Sequence, residues 1–131
     1  FSPISKEDII PASGQAALGI EIIDDPEVEE IVSVLNDADA IVETMVERDF
    51  ITVLEGGCQV PIGVNAQVYG DFLHVKAIVG LPDGSEVITE AMSGTRADFI
   101  TLGEKLAEKV IEKGAKELLE RVEKIELNEI F

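Results

Sequence analysis

One residue stands out for its chemistry and its setting, the single cysteine Cys58. It lies in the string Leu-Glu-Gly-Gly-Cys-Gln-Val-Pro-Ile-Gly, residues 54–63. Gly56 and Gly57 permit backbone angles that other residues avoid, and they let the chain approach a bulky ligand closely. Pro61 stiffens the exit from the string. The thiol is therefore displayed on a loop between a predicted helix and a predicted strand, which is unusual for a core cysteine.

The charges around Cys58 do not favour a general thiol nucleophile. A predicted helix C-terminus precedes the loop and Glu55 is close in sequence, and both stabilise the neutral thiol. The only histidine, His74, lies on a predicted strand, so a Cys–His pair requires the two residues to meet in space. On the residues alone, an inert structural cysteine is the commoner case. Two classes stay open at this point: a free-standing α+β binding or regulatory module with a structural Cys58, and a thiol-dependent enzyme.

The composition disfavours metal, nucleic-acid and membrane binding. No second histidine or cysteine exists to complete a metal site, so we predict none. The acidic groups around Glu27 and Glu117 lie on predicted helices and are interpreted as solvated faces. The net charge of −17 offers no basic footprint for nucleic acid or for an anionic membrane surface. No apolar run approaches the ~20 residues of a membrane span, and a single cysteine fits a reducing cytoplasm.

Helix signals occur on both sides of the Cys58 loop. The sequence Asp-Asp-Pro-Glu at residues 24–27 is typical of a helix start. A second helix is predicted to end at Gly56-Gly57. A last helix is predicted over residues 97–124, with Gly114 weakening or kinking it. We expect the tail after Glu126 to be loose.

Three strands are predicted between those helices. Apolar and other residues alternate over residues 64–69 and 72–79, and a third strand is predicted over residues 87–92. Turn sequences separate the three. Because each strand has one apolar face, we predict an α+β fold in which a three-stranded antiparallel sheet has helices packed on one face. His74 is expected on the open face of that sheet.

Residues 1–23 do not resemble the start of a domain. Residues 16–23, Ala-Ala-Leu-Gly-Ile-Glu-Ile-Ile, form a near-continuous apolar run. Such a run suits a strand buried on both faces of a larger sheet. No earlier segment could supply the neighbouring strands, so we expect an upstream portion to be missing and Phe1 to be a cut point within a longer chain.

Several strings of the sequence resemble one known family. The decapeptide around Cys58 resembles the cofactor-attachment loop of porphobilinogen deaminases, also called hydroxymethylbilane synthases. Residues 11–21 resemble the returning strand of that family, and Glu47-Arg48 followed by Phe50 resembles the helix before its loop. Residues 77–85 resemble the meander after the loop. The strings occur in the family's order over nearly the whole chain.

The resemblance implies a domain organisation. Members of the family have two domains that enclose the active site and a small third α+β domain, whose three-stranded antiparallel sheet has helices on one face. Residues 1–23 would be a returning segment of the first two domains. Residues 24–131 would be the crossing helix and the C-terminal cofactor-attachment domain. The missing N-terminal domains would then be this chain's partners.

The resemblance also implies site residues and an activity. Cys58 would hold a dipyrromethane cofactor through a thioether, and Gly56, Gly57, Gln15 and Ala16 would belong to the cofactor-binding site. The family often has glycine where this chain has Ala16. The dipyrromethane primes the condensation of four porphobilinogen units with loss of ammonia, and hydrolysis frees hydroxymethylbilane, a precursor of haem.

Some of the implied properties concern the isolated chain. The family's catalytic aspartate and its arginine cluster lie upstream, so we expect no catalytic residue within residues 1–131 and no activity of this chain alone. In the whole enzyme, porphobilinogen and the growing oligopyrrole would be the ligands. We expect that enzyme to be cytoplasmic and monomeric, and the isolated chain to self-associate through residues 1–23, because an unpaired apolar strand invites pairing.

Overall fold

A computed structural model describes residues 2–6, 8–54 and 61–130, without the side chains of residues 123 and 125–130. The described residues form a three-stranded antiparallel sheet in the order β1-β2-β3, with four α-helices. The elements are α1 (Pro26–Ser33), α2 (Ala38–Leu54), β1 (Ile62–Tyr69), β2 (Phe72–Gly80), β3 (Val87–Thr95), a 3₁₀ turn (Arg96–Asp98), α3 (Phe99–Glu112) and α4 (Ala115–Ile130). The predicted α+β meander is confirmed.

The two faces of the sheet differ as the alternation predicts. Leu73, Val75, Ala77 and Val79 of β2 are fully buried, whereas the residues between them are only half-buried. Because Val75 pairs with Met92 and Val79 with Ile88, β3 continues the same apolar face. Helices α2, α3 and α4 pack against this face, and the core forms between them and the sheet.

Helices α2, α3 and α4 supply the other half of the core. Val42, Val46, Phe50 and Leu54 recur every four residues along α2 and are all buried. That spacing places them on one face of the helix. Asp37 caps the helix, because its carboxylate accepts from the backbone N–H groups at positions 39 and 40, at 2.9 and 3.0 Å.

The last helix differs from the prediction in two ways. The single helix predicted over residues 97–124 is two helices, because Gly114 takes a φ of 95° and ends α3 rather than kinking it. A residue in the left-handed region closes a helix, and glycine adopts that region without strain. The prediction of a loose tail after Glu126 is also wrong, since the backbone of α4 stays helical to Ile130.

The segment before α1 lies on the outside of the domain. Residues 17–23 form no strand, and Leu18, Ile20 and Ile23 are 96%, 56% and 69% exposed. A strand needs the backbone groups of a neighbour, and the described part of the chain offers this segment none. The strand expected there therefore stays a prediction. None of the described helices is long and apolar enough to cross a membrane.

Candidate functional site

The Cys58 loop is held at both of its ends. Helix α2 ends at Leu54, which is only 4% exposed, and β1 begins at Ile62. Between them, Pro61 accepts a hydrogen bond through its carbonyl oxygen from the N–H of Gly80, at 3.2 Å. The predicted location of the loop between a helix and a strand is confirmed by these flanks. Residues 55–60, which include Gly56, Gly57 and Cys58, lie outside the described residues.

Gln15 and Ala16 lie in a tight double turn, residues 12–17, called here the Gln15 turn. The N–H of Gln15 bonds the carbonyl of Ala12 at 3.1 Å, and the N–H of Ala17 bonds the carbonyl of Gly14 at 3.1 Å. The Gln15 side chain accepts from the N–H of Ala12 at 3.2 Å, which tightens the first turn. Both predicted cofactor-binding side chains are therefore exposed at the surface of an ordered turn.

Ala16 has a φ of 72°, in the left-handed region that L residues other than glycine seldom occupy. A methyl group is strained there, whereas glycine is not. The conformation accounts for a glycine at this position in the resembling family.

Glu47 of α2 joins the Gln15 turn to the sheet. Its side chain is only 4% exposed. One carboxylate oxygen accepts from the N–H of Gly14 at 2.7 Å. The other accepts from the N–H of Ala66 at 2.8 Å and from the Asn65 side chain at 3.2 Å. Three segments that are distant in sequence therefore meet at one carboxylate.

Glu43 and Glu47 together cover the second half of the outer edge of β1. Glu43 accepts from the N–H of Val68 at 2.8 Å, as Glu47 does from that of Ala66. Four residues of helix rise about 6 Å and two residues of strand about 6.7 Å, so the two acceptors match the two donors. An edge strand whose N–H groups are already bonded is a poor template for another strand.

A second carboxylate, Glu90, lies on the helix-covered face of the sheet and is 9% exposed. Lys109 approaches it at 2.6 Å, and Lys113, one helical turn later, also bonds it. Hydrogen bonds from these two ammonium groups lower the pKa of Glu90 to about 2. The arrangement pins β3 to α3 and is structural.

The sequence patterns do not reveal the contacts of Glu47 or of Glu90. Both carboxylates can be recognised as buried once the bounds of α2, β3 and α3 are known. Glu47 lies between Val46 and Phe50 on the buried face of α2, where an unpaired carboxylate would be costly. Glu90 occupies an inward position of β3. The two lysines are four residues apart, Lys109 in the last turn of α3 and Lys113 at its C-cap.

His74 lies on the open face of the sheet, as predicted. Its Nδ1 is 2.8 Å from the hydroxyl of Ser93, its partner on the neighbouring strand. Neither this pair nor any other group in the described residues assembles three His, Cys, Asp or Glu side chains around a potential metal position.

The fold and the site define a small α+β domain that carries one cysteine on a loop between a core helix and an edge strand. A family profile described as "Porphobilinogen deaminase, C-terminal domain" matches residues 41–112, a range that contains Cys58. The chain belongs to the porphobilinogen deaminase family and corresponds to its C-terminal part.

Curated relatives carry the same name. The protein called porphobilinogen deaminase from Campylobacter hominis is 52% identical over 125 residues, which is 95% of this chain and 41% of the relative. Those from Campylobacter curvus and Campylobacter jejuni strain RM1221 are 50% and 52% identical over 123 and 119 residues. These matches cover 94% and 91% of this chain, and 40% and 39% of the relatives. The chain thus spans about two fifths of the relatives' length.

Proposed function

We propose that this chain is the cofactor-carrying part of a transferase that condenses four porphobilinogen units into hydroxymethylbilane with release of ammonia. Cys58 is the thioether anchor of its dipyrromethane primer. The observation that carries the proposal is the family match over residues 41–112, which includes the Cys58 string. The name shared by relatives about 50% identical over nearly the whole chain supports it.

The proposed attachment needs little from the thiol. The Sγ of Cys58 forms one bond to an electrophilic pyrrole methylene, the bond from that carbon to its leaving group breaks, and the thiol proton goes to the leaving group. The reaction occurs once per molecule. A neutral thiol beside a helix C-terminus is adequate for a single slow attachment, although it would be a poor catalyst of repeated turnover.

The proposed thioether bond promotes the reaction by keeping the growing pyrrole chain attached to the enzyme. A pyrrole chain held at one end reacts as though the reaction were intramolecular, which removes the entropic cost of bringing its free end to the active site repeatedly. The bond between Pro61 and Gly80 and the buried Leu54 support this role, because they fix both ends of the loop. Gly56 and Gly57 give the loop freedom to accommodate a growing chain, and Gln15 and Ala16 line its binding site.

The residues of this chain suit attachment of the cofactor better than they suit acid–base catalysis. Pyrrole carboxylates need cationic partners, and a chain with a net charge of −17 is a poor source of them. We therefore place the catalytic carboxylate and the arginine cluster in the portion of the longer relatives that this chain does not match. The isolated chain should then be inactive.

The proposal also assigns residues 1–23 and residues 24–131 to different parts of the whole enzyme. We propose that the first segment belongs structurally to the two active-site domains that the resemblance implies and that the second forms the crossing helix and the attachment domain. The exposed apolar side chains support this, because a surface of this kind normally has a partner. They include Leu18, Ile20, Ile31, Val34 and Leu35. The whole enzyme is proposed to be monomeric and cytoplasmic.

The test is the intact mass of the full-length enzyme purified from cells that make porphobilinogen. We expect a dipyrromethane adduct that maps to Cys58 by peptide digestion. Cys58→Ala should lack both the adduct and hydroxymethylbilane formation, while its thermal unfolding stays native-like. Active enzyme with an unmodified Cys58 would overturn the proposal.

A further inference from the structure

We infer that Glu47 is a positioning residue that holds the Gln15 turn, proposed above to line the primer's binding site, against helix α2 and strand β1. The inference rests on the proposed function. It concerns a contact of the chain itself, whose geometry lies within the described residues.

Position 47 requires a carboxylate, because both of its oxygens must accept hydrogen bonds. Its oxygens are divided between two tasks: one accepts from Gly14 of the turn, and the other accepts from Ala66 and Asn65 of β1. Glutamine has the same shape but only one acceptor oxygen. In Glu47→Gln the amide nitrogen would face an N–H donor on one of the two sides, so one link is lost.

The Gln15 turn depends on this contact. Gly14 and Ala16 both have left-handed φ values, 68° and 72°, and the latter is strained for alanine. The backbone bonds within residues 12–17 close the turn on itself. The bond from Gly14 to Glu47 attaches it to a buried group of the core.

Helix α2 runs from Glu47 towards the attachment loop. From Glu47 the helix continues for seven residues to Leu54, a rise of about 10 Å, and Cys58 follows four residues later. The same helix therefore carries the support of the Gln15 turn and leads into the attachment loop. The rigid part of this support ends at the buried Leu54, so Glu47 fixes the Gln15 turn relative to the helix and strand that flank the attachment loop.

Glu43 provides a matched control. It lies one turn earlier on the same helix and accepts from the neighbouring outward N–H of β1, that of Val68. It has one such task, which the single oxygen of glutamine can still perform. Glu43→Gln should therefore leave the Gln15 turn unchanged.

The experiment compares Glu47→Gln, Glu43→Gln and wild type in the full-length enzyme, with adduct mass, kcat, KM for porphobilinogen and thermal unfolding measured for each. We expect Glu47→Gln to lower kcat about tenfold, equivalent to about 1.4 kcal/mol, with KM within about twofold of wild type. Glu43→Gln should match wild type. Loss of the adduct in folded Glu47→Gln alone also supports the inference.

A purely structural role gives a different result. It would lower the melting temperature of Glu47→Gln and leave kcat per folded molecule unchanged, which would overturn the inference, as would an equal loss of kcat in Glu43→Gln. If wild type itself has no adduct on Cys58, the proposed function fails instead. Should Glu47→Gln not fold, replacing Gly14 by glycolate removes only the N–H that Glu47 accepts, and a normal kcat in that ester variant would overturn the inference.

Discussion

Gly103 of α3 packs directly against the carbonyl oxygen of Val46 in α2. A Cβ on Gly103 would overlap that oxygen and would lie 3.1 Å from both the Asp49 Cβ and the Phe50 backbone nitrogen. These atoms belong to the backbone or the base of a side chain, so they cannot move without shifting the helix. The close approach of the two helices therefore requires glycine at this position.

Gly103→Ala should destabilise the domain by about 1–3 kcal/mol. The sign is informative, because alanine is the better helix former by about 1 kcal/mol and would stabilise α3 if the helices were not in contact. Urea unfolding measures the difference. Gly19→Ala is the control, since an added Cβ there meets nothing within 4 Å. Equal stability of Gly103→Ala and wild type would contradict the packing described here.

Ala16→Gly should stabilise the Gln15 turn locally. The φ of 72° costs alanine more than it costs glycine, and we expect a net gain of about 0.5–1 kcal/mol after the greater freedom of unfolded glycine is deducted. The gain should slow hydrogen exchange of the Ala17 N–H, which bonds Gly14 across the turn. Ala17→Gly is the control and should speed the exchange of neighbouring amides. Faster exchange in Ala16→Gly would be inconsistent with strain at this residue.

Stability should fall in acid because of Glu90. Its pKa is lowered from the usual 4.5 to about 2 by Lys109 and Lys113. The unfolded chain therefore binds the proton first, and the stabilisation is complete above about pH 4.5 and is lost as the pH falls towards 2. Glu90→Gln should remove this part of the pH dependence. Its stability should be well below wild type at pH 6 and should approach it near pH 2.

Thermal unfolding at a series of pH values tests the role of Glu90. Glu104→Gln, an exposed position on α3, is the matched control and should keep the wild-type profile. A constant difference between Glu90→Gln and wild type from pH 6 to pH 2 would show that the two lysines do not depress this pKa.

The isolated 131-residue chain should self-associate through residues 1–23, and Leu18→Asp should weaken the association at least tenfold. Leu18 is 96% exposed, so the change should not disturb the core. Ile100→Asp is the control, because Ile100 is 64% exposed on α3. Sedimentation velocity at several concentrations measures the association. A monomer at all concentrations, or equal effects of the two variants, would refute this surface.

The sequence patterns predict local structure well and distant contacts poorly. The alternation over residues 72–79 determines a face because burial follows the pleat of the strand. Gly114 interrupts the predicted helix, but the spacing of the apolar residues continues across it. The end of the helix is visible in the structure, where Gly114 has a left-handed φ. Glu47 could not be assigned from the sequence, since its partner Gly14 is 33 residues away.

In the candidate site too, local features can be predicted from the sequence and distant contacts cannot. Cys58 is identifiable because it is unique and flanked by glycines. Gln15 and Ala16 were linked to it only through resemblance, since no local pattern connects residues more than forty positions apart. The structure relates them to α2 through Glu47, a contact that depends on the tertiary fold.

The carboxylates that cover β1 also limit what this sheet can build. A strand arriving at β1 would have to displace Glu43 and Glu47 from the N–H groups of Val68 and Ala66. Addition of a strand along this part of β1 would therefore cost both bonds, which favours extension of the sheet from β3. A sheet that accepts a neighbour at one edge can form a closed pair with a second copy, whereas propagation into a fibre needs two open edges.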